Sequence, residues 1–148
     1  GISMINKLKL GLDISKIDHI ISRKMDAAVI SSIDDKLTVS QAYVIDFIFN
    51  QCNKKEIFQK DLEKEFDLKR SSISLMLNNM EKSDLIKRVP VTEDARLKKI
   101  ILTEKSIKLN EKISEAIDSI ENKLSEDITL EEIEIFQRVL SKIRNNLE

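Results

Sequence analysis

The segment between Ile57 and Thr103 constrains the fold more than any other part of the chain. It begins with a short helix-periodic stretch, Gln59 to Phe66, and passes through a tight connection, Asp67-Leu68-Lys69. A second helical stretch follows from Arg70 to about Ser83. Leu62 and Phe66 turn inward on the first stretch, and Ile73, Met76, Leu77 and Met80 on the second, at steps of three and four that gather them on one face. The period then changes. Leu85, Ile86, Val89 and Val91 form a β-prone run interrupted by Pro90, and Lys99 to Thr103 form another. The charged stretch Thr92 to Lys98 between them makes the pair a hairpin.

The flanks are helical. Ile5 to about Ile33 reads as one long helix with Leu10, Ile14, Ile17, Ile21, Met25, Ala28 and Val29 along a single stripe. Residues 37–40 break that pattern, and Ser40 is the expected N-cap of a helix burying Tyr43, Val44, Phe47 and Ile48. Asn50 to Lys55 reads as a turn and Glu56-Ile57-Phe58 as a very short strand. After Thr103 the helical period returns through Ile107, Leu109, Ile113, Ala116, Ile117, Ile120 and Leu124. Thr129, with Glu132 three residues on, has capping-box spacing. It opens a last helix whose apolar face is Leu130, Ile133, Phe136, Val139, Leu140, Ile143 and Leu147. Only two Gly and one Pro occur, as suits a helical chain.

The expected fold class is mainly α with a small two- or three-stranded β-wing, in one domain spanning 1–148. A winged helix-turn-helix lobe at 38–103 lies between helical flanks at 5–33 and 104–147, which form a dimerisation region. The small lobe cannot cover three long amphipathic helices, and a second copy of the chain solves that burial problem. It also sets two recognition helices about 34 Å apart, one turn of a pseudo-palindromic DNA site.

The formal charge of −1 hides an uneven distribution. From Leu68 to Thr103, eight Lys or Arg stand against four acids, an excess of four. From Glu104 onward the acids exceed the bases by four. The basic excess therefore coincides with the helix-turn-helix and hairpin. A helix there can enter the major groove, and a basic hairpin beside it can reach a neighbouring minor groove. The outer face of the helix Arg70–Ser83 carries Arg70, Ser71, Ser74, Leu75, Asn78 and Asn79. Ser and Asn donate and accept, Asn can pair bidentately with adenine, and an exposed Leu75 can meet a thymine methyl.

The run from Asp94 to Thr103 resembles the wing signature of the MarR family of bacterial transcription regulators. That signature is Asp-x-Arg, five variable residues, then Leu-Thr, matched by Asp94, Arg96, Leu102 and Thr103. Ser71-Ser72-Ile73-Ser74 followed by Leu77, Met80 and Glu81-Lys82 resembles the family's recognition helix, and Leu85-Ile86-Lys87-Arg88 its first wing strand. The resemblance implies that Arg96 reads the minor groove and Asp94 orients it. With it the DNA-binding set becomes Lys69, Arg70, Ser71, Ser72, Ser74, Leu75, Asn78, Asn79, Arg88, Asp94, Arg96 and Lys98. Four departures stand out. Leu75 replaces a common Arg, Asn78-Asn79 replaces an Asp-Arg pair, Lys69 stands where a Ser cap is usual, and Glu63 replaces the small residue usual in the helix before the turn. The resemblance also implies a small-molecule effector bound between the lobe and the dimer helices, with Tyr43 a candidate contact.

These features together read as a sequence-specific double-stranded DNA-binding regulator, a ligand-responsive repressor acting as a homodimer. The alternatives are a SarA-like global regulator, whose wing is similar, or a winged-helix module that contacts protein. No catalytic residue, metal site or cofactor is expected. The single histidine, His19, lies between Asp18 and Ile20 on a helix and reads as surface or interface. The single cysteine, Cys52, excludes an intramolecular disulfide and reads as a partly buried thiol, with redox sensing the competing role. No run of about 18 apolar residues suggests a membrane span, no secretory leader pattern is visible, and the expected location is cytoplasmic.

Overall fold

The computed structural model describes residues 8–33 and 36–148. In chain order its elements are α1 (Leu10–Ser32), α2 (Val39–Gln51), α3 (Gln59–Phe66), α4 (Arg70–Lys82), β1 (Ile86–Pro90), β2 (Lys98–Leu102), α5 (Glu104–Leu124) and α6 (Leu130–Leu147). The mainly α class with a small wing is the fold observed.

Helices α2 and α6 start on capping boxes. Thr38, not Ser40, caps α2: its hydroxyl accepts from Gln41 N at 3.1 Å, while Gln41 Oε1 accepts from Thr38 N at 3.1 Å. The Thr-x-x-Gln spacing satisfies two end donors reciprocally, which Ser40 cannot do from inside the first turn. Thr129 and Glu132 make the same box at α6, as their spacing predicts. Helix α1 begins at Leu10, so residues 8 and 9 fall short of the helix expected from Ile5. Residues 5–7 of that expectation lie outside the described residues. Helix α3 ends on Asp67, which adopts φ 51, and Asp84 after α4 adopts φ 59. Asp enters this left-handed region more readily than most residues with a side chain.

The wing is two-stranded and antiparallel, with Ile86 opposite Leu102 and Pro90 opposite Lys98. Glu56-Ile57-Phe58 is not a strand. It contributes one backbone bond, Ile100 N donating to Ile57 O at 2.7 Å, because α3 starts immediately after it. Pro90 sits at the outer end of β1, where its missing N–H costs no ladder bond.

The core lies where α2, α4, α5 and the wing meet. Ala42, Val44, Ile45 and Ile48 of α2 pack with Leu62, with Ile73, Leu77 and Met80 of α4, and with Ile86 and Ile100 of the wing. Ile113, Ala116, Ile117 and Ile120 of α5 close it from below, and Met25 and Val29 of α1 join there. Phe47 and Phe66 meet edge to face at 6.0 Å, tying α2 to α3. This packing leaves two apolar surfaces uncovered. Leu10, Ile14 and Ile17 on the first half of α1 are exposed. Helix α6 has no buried residue; Leu130, Phe136, Val139, Leu140 and Leu147 are exposed, and Ile133 and Ile143 only partly covered.

Candidate nucleic-acid interface

Helix α4 divides cleanly because its core residues recur at helical spacing. Ile73, Leu77 and Met80 are buried, while Arg70, Ser71, Ser72, Leu75, Asn78 and Asn79 face outward. Leu75 is 63 % exposed, an unusual place for a large apolar side chain on a helix otherwise polar outside. Lys69 occupies the N-cap in extended conformation and its side chain makes no cap hydrogen bond. The first backbone N–H groups of α4 therefore lack a side-chain cap from Lys69 and sit beside a cation, a combination that favours an anion.

Ser74 is half-buried because Gln59, the first residue of α3, lies against it. Gln59 Nε2 donates to Ser74 Oγ at 2.9 Å and approaches Arg70 O at 3.5 Å. Sequence reading missed Gln59. Its only signal was its place at the head of the short helix, since the partner lies fifteen residues on.

The wing is anchored to α4 by Arg88. Its guanidinium donates to Asn78 Oδ1 and pairs with Glu81 Oε2 at 3.5 Å, leaving the side chain 23 % exposed. Arg88 and Asn78, both expected to face DNA, thus meet each other. At the loop between the strands, Asp94 Oδ1 accepts from Arg96 N at 2.9 Å and lies 3.5 Å from Arg96 Nε. The carboxylate holds the turn and the base of the arginine together, while the Arg96 side chain stays 94 % exposed. Lys98 opens β2, also exposed.

Leu102-Thr103 have a structural task. Leu102 packs on the core, and Thr103 caps α5 by accepting from Ser106 N at 3.3 Å. Thr103 Oγ1 also donates to Asp84 O at 2.7 Å, and Ser106 Oγ to Leu85 O at 2.5 Å. These bonds tie the turn after α4 to the start of α5, so the wing and α4 are fixed to one frame. Between the wing, α3 and the start of α4 runs an open groove lined by Lys60, Arg70, Arg88, Arg96 and Lys98, with Asp61 and Glu63 as its acids. Asp61 is already engaged, accepting from Phe58 N at 2.8 Å and pairing with Lys55 at 3.7 Å. The groove is therefore net basic, although the chain is not.

Tyr43 lies at the junction of α2 and α5. Its hydroxyl donates to Glu121 Oε1 at 2.9 Å, and burial first, then Glu121, push its pKa well above the usual phenol value. Burial and the charge of Asp118 raise the Asp46 carboxyl above its ordinary range. Asn110 partly offsets this, although its buried Nδ2 closes no hydrogen bond of normal geometry. Cys52, expected to be partly buried, is exposed, because it follows the last turn of α2 and points away from the core. His19 is exposed on α1. Among the described residues no three His, Cys, Asp or Glu side chains gather as a metal site. No described helix is long and apolar enough to cross a membrane.

No protein-family model matches the sequence. Solved structures do match. The transcription regulator MarR from Oenococcus oeni PSU-1 aligns at 28 % identity and a TM-score of 0.81, over 93 % of this chain and 99 % of that one. MepR of S. aureus, solved in complex with DNA, aligns at 25 % identity and a TM-score of 0.80, over 96 % and 100 %. The heme sensor PefR from Streptococcus agalactiae, solved with heme, aligns at 21 % and 0.63 over 94 % and 95 %, a likeness of fold. Over nearly its whole length, then, the structural neighbours of this chain are MarR-family transcription regulators, and its six described helices and two-stranded wing take the winged-helix fold of that family.

Proposed function

We propose that the chain is a MarR-family repressor that binds double-stranded DNA as a homodimer on a pseudo-palindromic site, under control of a small-molecule effector. The observation that carries DNA binding is the basic groove between the wing, α3 and the start of α4. It is bordered on one side by an exposed polar helix face and on the other by Arg96, held at its base by Asp94 and free beyond it. An exposed polar helix face suits the major groove, and an exposed arginine suits the narrower, more negative minor groove. The DNA complex of MepR, at 25 % identity, supports the same use of the fold.

Dimerisation rests on the uncovered faces of α1 and α6. Leu10 and Ile14 share a groove with Leu140, Ile143 and Leu147. A self-complementary contact across both helices would remove this surface from water. Effector control rests on the half-buried polar junction at Tyr43, where α2 of the lobe meets α5. The test is binding of a labelled random duplex across a salt series, followed by selection of preferred sequences. Affinity should fall steeply as salt rises, as phosphate contacts require. No binding at low salt would sink the reading.

A further inference from the structure

The outer face of α4 carries a polarity that its composition does not show. Arg70, Ser74 and Asn78 follow one another at steps of four and so form a single stripe. Arg70 has only donors. Asn78 can donate and accept, but its oxygen is turned toward a partner within the fold. Arg88 has no acceptor, so the Asn78 atom facing it must be Oδ1, which turns Nδ2 outward. Ser74 is set in the same sense. Gln59 approaches the Arg70 carbonyl, which only accepts, so its amide must present Nε2 there and to Ser74 Oγ. With its oxygen accepting from Gln59, Ser74 keeps its hydrogen for an outside partner.

We propose that Gln59 and Arg88 are specificity-determining positioning residues that turn the donors of the Arg70–Ser74–Asn78 stripe outward and make it a donor-presenting reader of the major groove. The proposal rests on α4 being the DNA-reading helix. A donor stripe pairs with guanine O6 and N7 and with thymine O4, and it meets the amino groups of adenine and cytosine unfavourably. Asn78 in particular does not make the bidentate adenine contact expected of an asparagine here, because that contact needs Oδ1 to accept from the adenine amino group. Neither Gln59 nor Arg88 need touch a base. Each acts by occupying the acceptor of a side chain that does.

The experiment is selection of bound duplexes from a random pool by the full-length protein and five variants, with thermal melting to check each fold. Ser74→Ala and Asn78→Ala first identify which base pairs those side chains read. At these positions the wild type should prefer guanine or thymine over adenine or cytosine on the contacted strand by roughly tenfold, the scale of one mismatched pair. Arg88→Ala frees Asn78 Oδ1 and should admit adenine at the Asn78 position. Gln59→Glu turns the neighbour of Ser74 into an acceptor, consumes the serine hydrogen, and should reverse the preference at the Ser74 position. Asn78→Asp keeps a partner for Arg88 but removes the outward donors, so it should erase the keto preference while melting as the wild type does; it decides the matter if Arg88→Ala does not fold. A wild-type preference for adenine or cytosine at these positions, or unchanged preferences in the folded variants, overturns the proposal while leaving DNA binding intact. Failure of the wild type to bind any duplex at low salt overturns the DNA-binding reading and this proposal with it.

Discussion

The wing separates two contributions that are usually confounded, the charge of an arginine and its orientation. Asp94 Oδ1 accepts from Arg96 N at 2.9 Å and lies 3.5 Å from Arg96 Nε, while the arginine side chain is 94 % exposed. Removing the cation and removing its holder should therefore give different signatures. Each phosphate neutralised contributes about 0.9 to the slope of log K against log salt. Arg96→Ala in both wings of a dimer should lower the slope by about 1.8. Between about 50 and 200 mM salt, that shrinks the salt-induced loss of affinity roughly tenfold. Asp94→Ala keeps the cation and releases the hold on it. An exposed ion pair of this kind contributes at most about 1 kcal/mol, so two wings lose up to about 2 kcal/mol, or up to about 30-fold in affinity. The slope should stay or steepen, since two negative charges leave the interface. Fluorescence anisotropy with a labelled duplex, titrated at four or more salt concentrations, measures both quantities. An unchanged slope in Arg96→Ala, or an equal drop in Asp94→Ala, would refute the division of roles.

Other parts of the molecule give further expectations. Phe136 on α6 is 61 % exposed in the single chain; burying that area contributes about 1–2 kcal/mol per copy and counts twice in a two-fold interface. Phe136→Ala should then raise the dimer dissociation constant by roughly a hundredfold in sedimentation equilibrium, and an unchanged constant would place α6 outside the interface. Thr38→Ala removes the hydroxyl half of the α2 capping box and should cost about 1 kcal/mol in urea unfolding; a cost near zero would mean water takes over the cap. Burial and Asp118 raise the pKa of Asp46, so its ionised form is disfavoured in the fold. The stability this group contributes is present below its ordinary pKa and is lost as pH rises through the raised one. Asp46→Asn should consequently raise the melting temperature at neutral pH and make little difference in acid, and a gap independent of pH would contradict that sign.

How much of this was legible beforehand depended on the range over which each feature is specified. Helices α3, α4, α5 and α6 could be placed from spacing because a helix repeats within the chain and its caps lie three residues from their partners. Thr129 with Glu132 is one case. Thr38 with Gln41 carries the same signal, although Ser40 is the expected cap. The hairpin was legible from the change of period at Leu85, and the division of α4 into Ile73, Leu77 and Met80 against Leu75, Asn78 and Asn79 followed from helical geometry. Glu56-Ile57-Phe58 misled because a β-prone triplet does not say whether it pairs along its length or through one carbonyl.

The amino-acid sequence by itself thus determined the elements, their order, the basic wing with its Asp94-x-Arg96 turn, and the surplus of apolar helix face. Tertiary structure alone decided which side chains those elements bring together. It set Arg88 on Asn78 and Glu81, Gln59 on Ser74, Tyr43 on Glu121, and Ile57 O on the amide of Ile100. The reason is physical. Periodicity and capping are satisfied within a turn or two of chain, whereas a donor finds a distant acceptor only after packing has set the angle and distance between elements. On α4 the residues are visible in the chain, but the partners of Ser74 and Asn78 come from α3 and β1; under the proposed reading that is where the sense of their hydrogen-bonding groups toward DNA is set.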